Sequence, residues 1–87
     1  MTKHLKPVPM ELALKISKEI EKASESDERT AMFHFQIFFN ADELKDVSAR
    51  DFCKAVGMQE TFKVEYKKML NLREMLAKQG YTVATAA

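Results

Sequence analysis

Apolar residues recur every three or four positions in two long stretches of this chain, which is the pattern of an amphipathic helix. The first stretch runs from Pro9 to about Lys22, and its apolar positions are Leu12, Ala13, Ile16, Ile20 and Ala23. The second runs from Glu60 to about Gln79, and its apolar positions are Phe62, Tyr66, Met69, Leu70, Leu72 and Leu76. Gly80 follows directly, as is common at a helix C-terminus. We therefore predict a helix in each stretch.

The segment from Met32 to Phe39 contains four of the six phenylalanines, and its pattern fits two structures. A strand would place every second residue on one face, namely Phe33, Phe35, Ile37 and Phe39. A helix would be buried on two sides, one formed by Phe33 and Ile37 and the other by Ala31, Met32, Phe35, Phe38 and Phe39. We favour the helix because Asp27 to Ala31 supply a good N-terminal turn, and because a lone strand in so small a chain would lack a partner. The polar segment before it is either a connection or the capped start of this helix, with Ser26 or Asp27 as the N-cap.

A further feature is a pair of helices that meet at Gly57. The first can begin at Ser48, whose hydroxyl can accept a hydrogen bond from the next turn, and Asp51 favours the positively polarised end of that helix. Gly57 can adopt the left-handed conformation that ends a helix. Met58 follows as an apolar residue, and the second helix begins near Glu60.

Small and apolar residues surround this turn at defined spacings. Cys53 is a small residue four positions before Gly57, and Phe52, Val56 and Met58 are apolar. Tyr66 stands nine positions after Gly57, whereas the position six after it holds Lys63, with Phe62 one residue earlier. Apart from Lys63, this pattern resembles a helix-turn-helix over residues 49–68. The resemblance implies that the second helix enters the major groove of DNA.

Together these patterns predict an all-α fold, a compact bundle of four or five helices that contains the helix-turn-helix-like hairpin. The 87 residues suffice for one domain, with residues 1–6 and 84–87 frayed and a turn or short helix around Leu44. Tyr81 to Val83 would form an extended tail or the first strand of a wing. The predicted hydrophobic centre consists of Phe33, Phe35, Phe38, Phe39, Phe52, Phe62, Tyr66 and Met69.

The distribution of charge favours the second half of the chain as a DNA-binding surface. The net charge is only +1, but residues 1–48 hold seven Lys/Arg against nine Asp/Glu, and residues 49–87 hold seven against four. The candidate DNA-binding residues in that half are Arg50, Lys54, Gln59, Thr61, Lys63, Lys67 and Lys68. Gln59 and Thr61 would meet base edges, and the basic side chains would neutralise phosphates of duplex DNA. Glu60 and Glu65 weigh against this interpretation.

Two other functions fit the same sequence. The first is a protein-interaction module, such as a phage- or plasmid-type adaptor or inhibitor of a host complex. Val64 and Met75 lie outside the apolar arc of the last helix, where they could contact a protein partner or a second copy of the chain. The second is a ribbon-helix-helix dimer, in which Phe33 to Phe39 would be the strand and His34 and Gln36 would read the bases.

The sequence favours a binding role over a catalytic one. Cys53 is the single cysteine and has no histidine nearby, so we expect a buried core residue rather than a nucleophile. The two histidines and the cysteine lack metal-ligand spacing, and there is no Gly-rich phosphate loop or paired acidic site. We predict no enzyme, no metal and no other cofactor. No apolar run approaches the roughly 18 residues of a membrane span, and we expect a cytoplasmic protein.

Overall fold

The computed structural model describes residues 5–83, which contain five α-helices and no strand. The helices are α1 (Met10–Ser24), α2 (Arg29–Phe39), α3 (Ala41–Leu44), α4 (Ala49–Ala55) and α5 (Lys63–Lys78). A 3-10 turn, Glu60–Phe62, leads into α5. Helical residues make up 71% of the described chain, and the predicted all-α bundle is confirmed. Residues 1–4 and 84–87, which include most of the ends predicted to fray, lie outside the described residues.

The aromatic segment forms helix α2, so the strand interpretation and the ribbon-helix-helix fold that depends on it are wrong. Phe33 and Ile37 are completely buried, because α1 and α5 both pack against α2. Phe35, predicted to lie in the hydrophobic centre, is instead 54% exposed, and Phe38 and Phe39 are only partly buried. The core face of α2 is therefore the smaller of its two apolar faces.

The hydrophobic core forms where α1, α2, α4 and α5 meet, and α1 contributes Ala13, Ile16 and Ile20 to it. The ring of Phe52 lies 6.0 Å from that of Phe33 and 5.0 Å from that of Tyr66, and all three side chains are almost completely buried. Phe62 and Met69 pack against this core while remaining partly exposed. Leu72 was predicted to share the apolar arc of the last helix but is 52% exposed, because no other described element covers that side of α5.

Helices α2 and α5 lie side by side and run in the same direction. Near the start of both helices the rings of Phe33 and Phe62 are 5.4 Å apart, and His34 Nε2 lies 3.0 Å from Glu65 Oε2. Near the end of α2, Arg73 Nη1 donates a hydrogen bond of 2.7 Å to the carbonyl oxygen of Phe38. These contacts give the two helices one common inner side and one common outer side.

The connection between α1 and α2 differs from the predicted cap. Neither Ser26 nor Asp27 caps α2; the residue before the helix is Glu28, which makes no side-chain cap. Ser26 and Glu28 instead donate their backbone N–H groups to the carbonyl of Ala23. Asp27 takes a left-handed conformation, φ 62°, that lets the chain turn between these bonds. The polar residues of this segment therefore close the end of α1.

Two polar side chains of α5 secure the backbone of neighbouring elements. The hydroxyl of Tyr66 donates a shared hydrogen bond to two carbonyl oxygens, that of Leu44 at 2.9 Å and that of Val47 at 3.1 Å. The guanidinium of Arg73 binds the end of α2 and also pairs with Asp42 of α3 at 3.2 Å. Both interactions hold α5 against the connections that precede α4.

The hydrogen bonds of Tyr66 lead to a first prediction. Tyr66→Phe removes the hydroxyl and leaves carbonyl oxygens of the α3–α4 connection without that donor, so the free energy of unfolding should fall by about 1–2 kcal/mol. Tyr81→Phe is the matched control, because Tyr81 is 65% exposed. Urea unfolding of the three proteins measures the difference. Equal losses in both variants would contradict the structural role of the Tyr66 hydroxyl.

The burial of the Tyr66 phenol and the Cys53 thiol leads to a second prediction. Desolvation raises the pKa of the Tyr66 phenol above its ordinary 10.0 and that of the Cys53 thiol above 9.0, because burial disfavours the anion. The unfolded chain loses these protons at their ordinary pKa values, while the folded chain retains them. The free energy of unfolding should therefore be unaffected by these groups below about pH 9 and fall as pH rises further.

Urea titrations at a series of alkaline pH values measure this decline. Cys53→Ala combined with Tyr66→Phe should reduce its slope, since neither group then titrates. An unchanged slope in the double variant would show that other groups cause the alkaline loss.

Candidate nucleic-acid interface

Helix α4 begins as the sequence predicts. The hydroxyl of Ser48 accepts a hydrogen bond of 3.3 Å from the backbone N–H of Asp51, which confirms the predicted cap. Phe52 and Cys53 point from α4 into the core and are at most 1% exposed. The short helix is therefore fixed at its start by a cap and along its length by burial.

The turn after α4 closes through backbone hydrogen bonds. Gly57 has φ 76°, and its N–H donates to the carbonyl of Lys54 at 3.3 Å. The N–H of Met58 donates to the carbonyl of Cys53 at 2.8 Å, and the Met58 side chain is buried beside the end of the helix. This pair of bonds and the apolar contact form a Schellman motif. Arg29 of α2 adds a hydrogen bond of 2.8 Å to the Gly57 carbonyl.

The second half of the hairpin explains why Phe62 stands one position early. Each residue of a 3-10 turn rotates the chain further about the helix axis than a residue of an α-helix does. The side chains of residues 60–62 therefore point in other directions than they would in a regular helix. Phe62 consequently reaches the core and contacts Phe33, and Lys63 lies at the edge with 44% of its side chain exposed. Tyr66, the later apolar position, is 1% exposed as predicted.

A groove of about 1000 Å³ runs between α5 and the connection that precedes α4. Five cationic residues line it against three acidic ones: Lys45, Arg50, Lys63, Lys67 and Arg73 against Asp42, Asp46 and Glu74, with Asn71 also in the lining. Three of the candidate DNA-binding residues thus line one surface, which we call the basic groove. Lys63, Lys67 and Asn71 follow one another at intervals of four, so they lie on the same side of α5. That spacing was a signal for Asn71 in the sequence, whereas nothing in the sequence indicated Lys45.

The remaining candidates are placed differently. Gln59 and Thr61 are exposed at the turn that leads into α5, and Lys54 is exposed on α4. Lys68 is rotated about 100° from Lys67 around the helix axis and pairs with Glu65 at 3.6 Å. Lys68 therefore does not line the basic groove.

Glu60 organises the cations at the start of α5. Its Oε1 lies 3.3 Å from Lys63 Nζ and 3.7 Å from Arg50 Nε. Within the described residues, Lys54 and Lys67 have no such ion pair. All of these side chains except Lys63 are well exposed, so the pairs contribute little to stability and can exchange partners.

The other predicted surface, Val64 and Met75, is exposed at 57% and 53% on α5. Two arginines that sequence reasoning missed, Arg29 and Arg73, stabilise the fold by donating hydrogen bonds to backbone carbonyls.

In the described part of the chain, no group of residues could hold a metal ion. Nor is any described helix long and apolar enough to cross a membrane.

Comparison with known protein families gives a match. A family model described as an HTH-like domain covers residues 10–79. That range extends from the start of α1 to the end of α5 and includes the complete hairpin around Gly57. No curated protein and no solved structure matches the chain significantly.

The turn leads to a third prediction. Gly57→Val should destabilise the fold by about 1–3 kcal/mol, because a β-branched residue is strained at positive φ. The cost is one of backbone conformation, since a Cβ at this position meets no atom within 4 Å. Gly57→Asn should cost less, because asparagine enters the left-handed region more readily.

Gly80→Val provides a second comparison at φ 88°. Gly80 follows the last helix, so fraying of one turn can relieve the strain there, and the loss should be smaller than at Gly57. Urea unfolding ranks the three variants. Equal stability of Gly57→Val and the parent would show that the turn does not need a left-handed residue.

Proposed function

The chain belongs to the HTH-like domain family, and from this premise we propose that it binds duplex DNA through the basic groove and the start of α5. The observation that carries the proposal is the convergence of Arg50, Lys63 and Lys67 on one surface beside the helix-turn-helix hairpin. Lysine and arginine side chains on such a surface neutralise phosphates, and a helix fits the major groove.

In this proposal the start of α5 approaches the base edges. Gln59 and Thr61 are exposed and uncharged, and their side chains offer the donors and acceptors that read bases. Lys67 and Lys54 meet the flanking phosphates, because neither is held by an ion pair within the described chain. Asn71 extends the polar surface by one turn beyond Lys67.

Glu60 affects how this surface binds. In the free protein it partly neutralises Arg50 and Lys63, and DNA phosphates would replace it as their partner. A carboxylate at this place repels phosphate and can accept a hydrogen bond from the amino group of cytosine. We therefore expect weak binding to random DNA and a clear preference among sequences.

The proposed role is that of a small regulator, or of the recognition module of a larger protein, in the cytoplasm. Binding rather than catalysis is the activity of such a domain. The buried Cys53 thiol, whose pKa is raised by desolvation, is a poor nucleophile in keeping with this role.

A protein-interaction role has its own supporting observation. Several large apolar side chains, among them Phe35, Val64, Leu72 and Met75, are more than half exposed on α2 and α5. They lie away from the basic groove, so a protein contact there is compatible with DNA binding.

The fourth prediction tests the basic groove directly. Lys63→Glu with Lys67→Glu should abolish duplex binding while changing thermal stability little, because both side chains are at the surface and Lys63 makes one weak ion pair. For the parent protein, a contact with about four phosphates gives a slope of roughly −3 to −4 in a plot of log K against log salt concentration. Fluorescence anisotropy with labelled duplexes across a salt series measures both quantities.

Lys15→Glu with Lys18→Glu is the matched control. It changes the net charge by the same amount on the exposed side of α1, outside the basic groove. Binding should fall far less in this variant. Equal loss in both double variants would indicate non-specific attraction, and no binding by the parent at low salt would reject the DNA proposal.

A further inference from the structure

Glu60 stands at the edge of the basic groove and connects the two helices of the hairpin. It is the first residue of the 3-10 turn that leads into α5, and 59% of its side chain is exposed. Its Oε1 lies 3.7 Å from Arg50 of α4 and 3.3 Å from Lys63 of α5. Two cations that line the groove therefore hold this carboxylate on the surface that we propose for DNA binding.

The protein uses only one of the two oxygens of this carboxylate. Within residues 5–83, Oε1 makes both contacts, and Oε2 makes no hydrogen bond or ion pair. Oε2 is thus available to a ligand even while the two cations keep the side chain in place. Phosphates that draw Arg50 and Lys63 away from Glu60 would release Oε1 as well.

The chemistry of Glu60 is more selective than that of its exposed neighbours. The side chains of Gln59 and Thr61 each offer a donor and an acceptor, whereas an ionised carboxylate only accepts hydrogen bonds. In the major groove, the polar atoms of guanine and thymine are acceptors, which repel a carboxylate. Glu60 can therefore be satisfied only by the amino group of cytosine or adenine.

Cytosine fits this acceptor better than adenine does. The major-groove edge of adenine places its N6 amino group beside N7, which is itself an acceptor. Cytosine presents its N4 amino group without a neighbouring acceptor. A carboxylate at this edge is consequently favoured by cytosine and disfavoured by the other three bases.

We propose that Glu60 selects cytosine at one position of the DNA site by accepting a hydrogen bond from the N4 amino group. The inference rests on the proposed function, because it needs duplex DNA at the start of α5. It goes further by assigning one base to one residue and by giving that residue two opposite effects. The charge of Glu60 weakens binding to every duplex, and its hydrogen bond restores affinity only where cytosine is present.

The test begins with selection of bound duplexes from a pool with a randomised central segment, and continues with fluorescence anisotropy of duplexes that differ at the selected base pair. The parent protein should enrich cytosine at one position and bind that duplex roughly tenfold more tightly than the alternatives. Glu60→Gln should replace this preference by one for adenine, because an amide can donate to N7 and accept from N6. Its affinity for random duplex should rise roughly threefold, since a negative charge near the phosphates is lost.

Glu60→Asp separates the reach of the side chain from its charge. The carboxylate is retained, but the side chain is shorter by a methylene group and no longer reaches the base edge. The preference for cytosine should fall in this variant, while binding to random duplex stays as weak as in the parent.

Glu74→Gln is the matched control for the loss of charge. Glu74 also lines the basic groove, is similarly exposed at 66% and pairs with Lys78 at 3.6 Å. This variant should keep the cytosine preference of the parent. Circular dichroism should show that all three variants remain folded, because neither glutamate belongs to the hydrophobic core.

Failure of this inference differs from failure of the DNA proposal. A parent protein that binds DNA without enriching cytosine, or a Glu60→Gln variant that keeps the preference of the parent, would overturn the role of Glu60 alone. So would a loss of preference in Glu74→Gln as large as that in Glu60→Gln. A parent protein that binds no duplex at low salt rejects the DNA proposal, and this inference with it.

Discussion

The rest of this small structure depends on the contacts that the Tyr66 side chain makes in the core. Its ring packs against Phe52, and its hydroxyl binds the carbonyl oxygens of Leu44 and Val47. An unmet buried polar group costs about 1–3 kcal/mol, and here one side chain both fills the core and supplies the missing donor. Because the ring and the hydroxyl fix different parts of the chain, α5 cannot rotate or slide relative to α4 without losing one of them.

The orientation of α5 in turn determines what each side of it does. With Tyr66 inward, Lys63 and Lys67 line the basic groove, and Leu72 and Met75 face outward. The proposed DNA-binding surface and the exposed apolar residues therefore lie on different sides of one helix.

Charged residues contribute unequally to this design. Arg29 donates a hydrogen bond to the carbonyl of Gly57 in the turn, and Arg73 donates one to the carbonyl of Phe38 at the end of α2. Both guanidinium groups therefore stabilise the fold itself. Glu60 holds Arg50 and Lys63 through exposed pairs that exchange easily. The net charge of +1 therefore does not show how charge is distributed, because five cationic residues line the groove against three acidic ones.

The sequence by itself determined the features that depend on neighbours along the chain. The apolar period predicts α1 and α5, Ser48 caps α4, and the left-handed turn falls at Gly57, because hydrogen bonds and φ preferences act within a few residues. With them the sequence also predicted the all-α class and the helix-turn-helix likeness.

The tertiary structure decided which faces are covered. Phe33 lies inside and Phe35 outside because α1 and α5 flank one side of α2, and both residues suit either place by composition. The same holds for Leu72, which is exposed because no other described element covers that side of α5. Periodicity defines the faces of a helix, but only packing between distant segments selects the one that is buried.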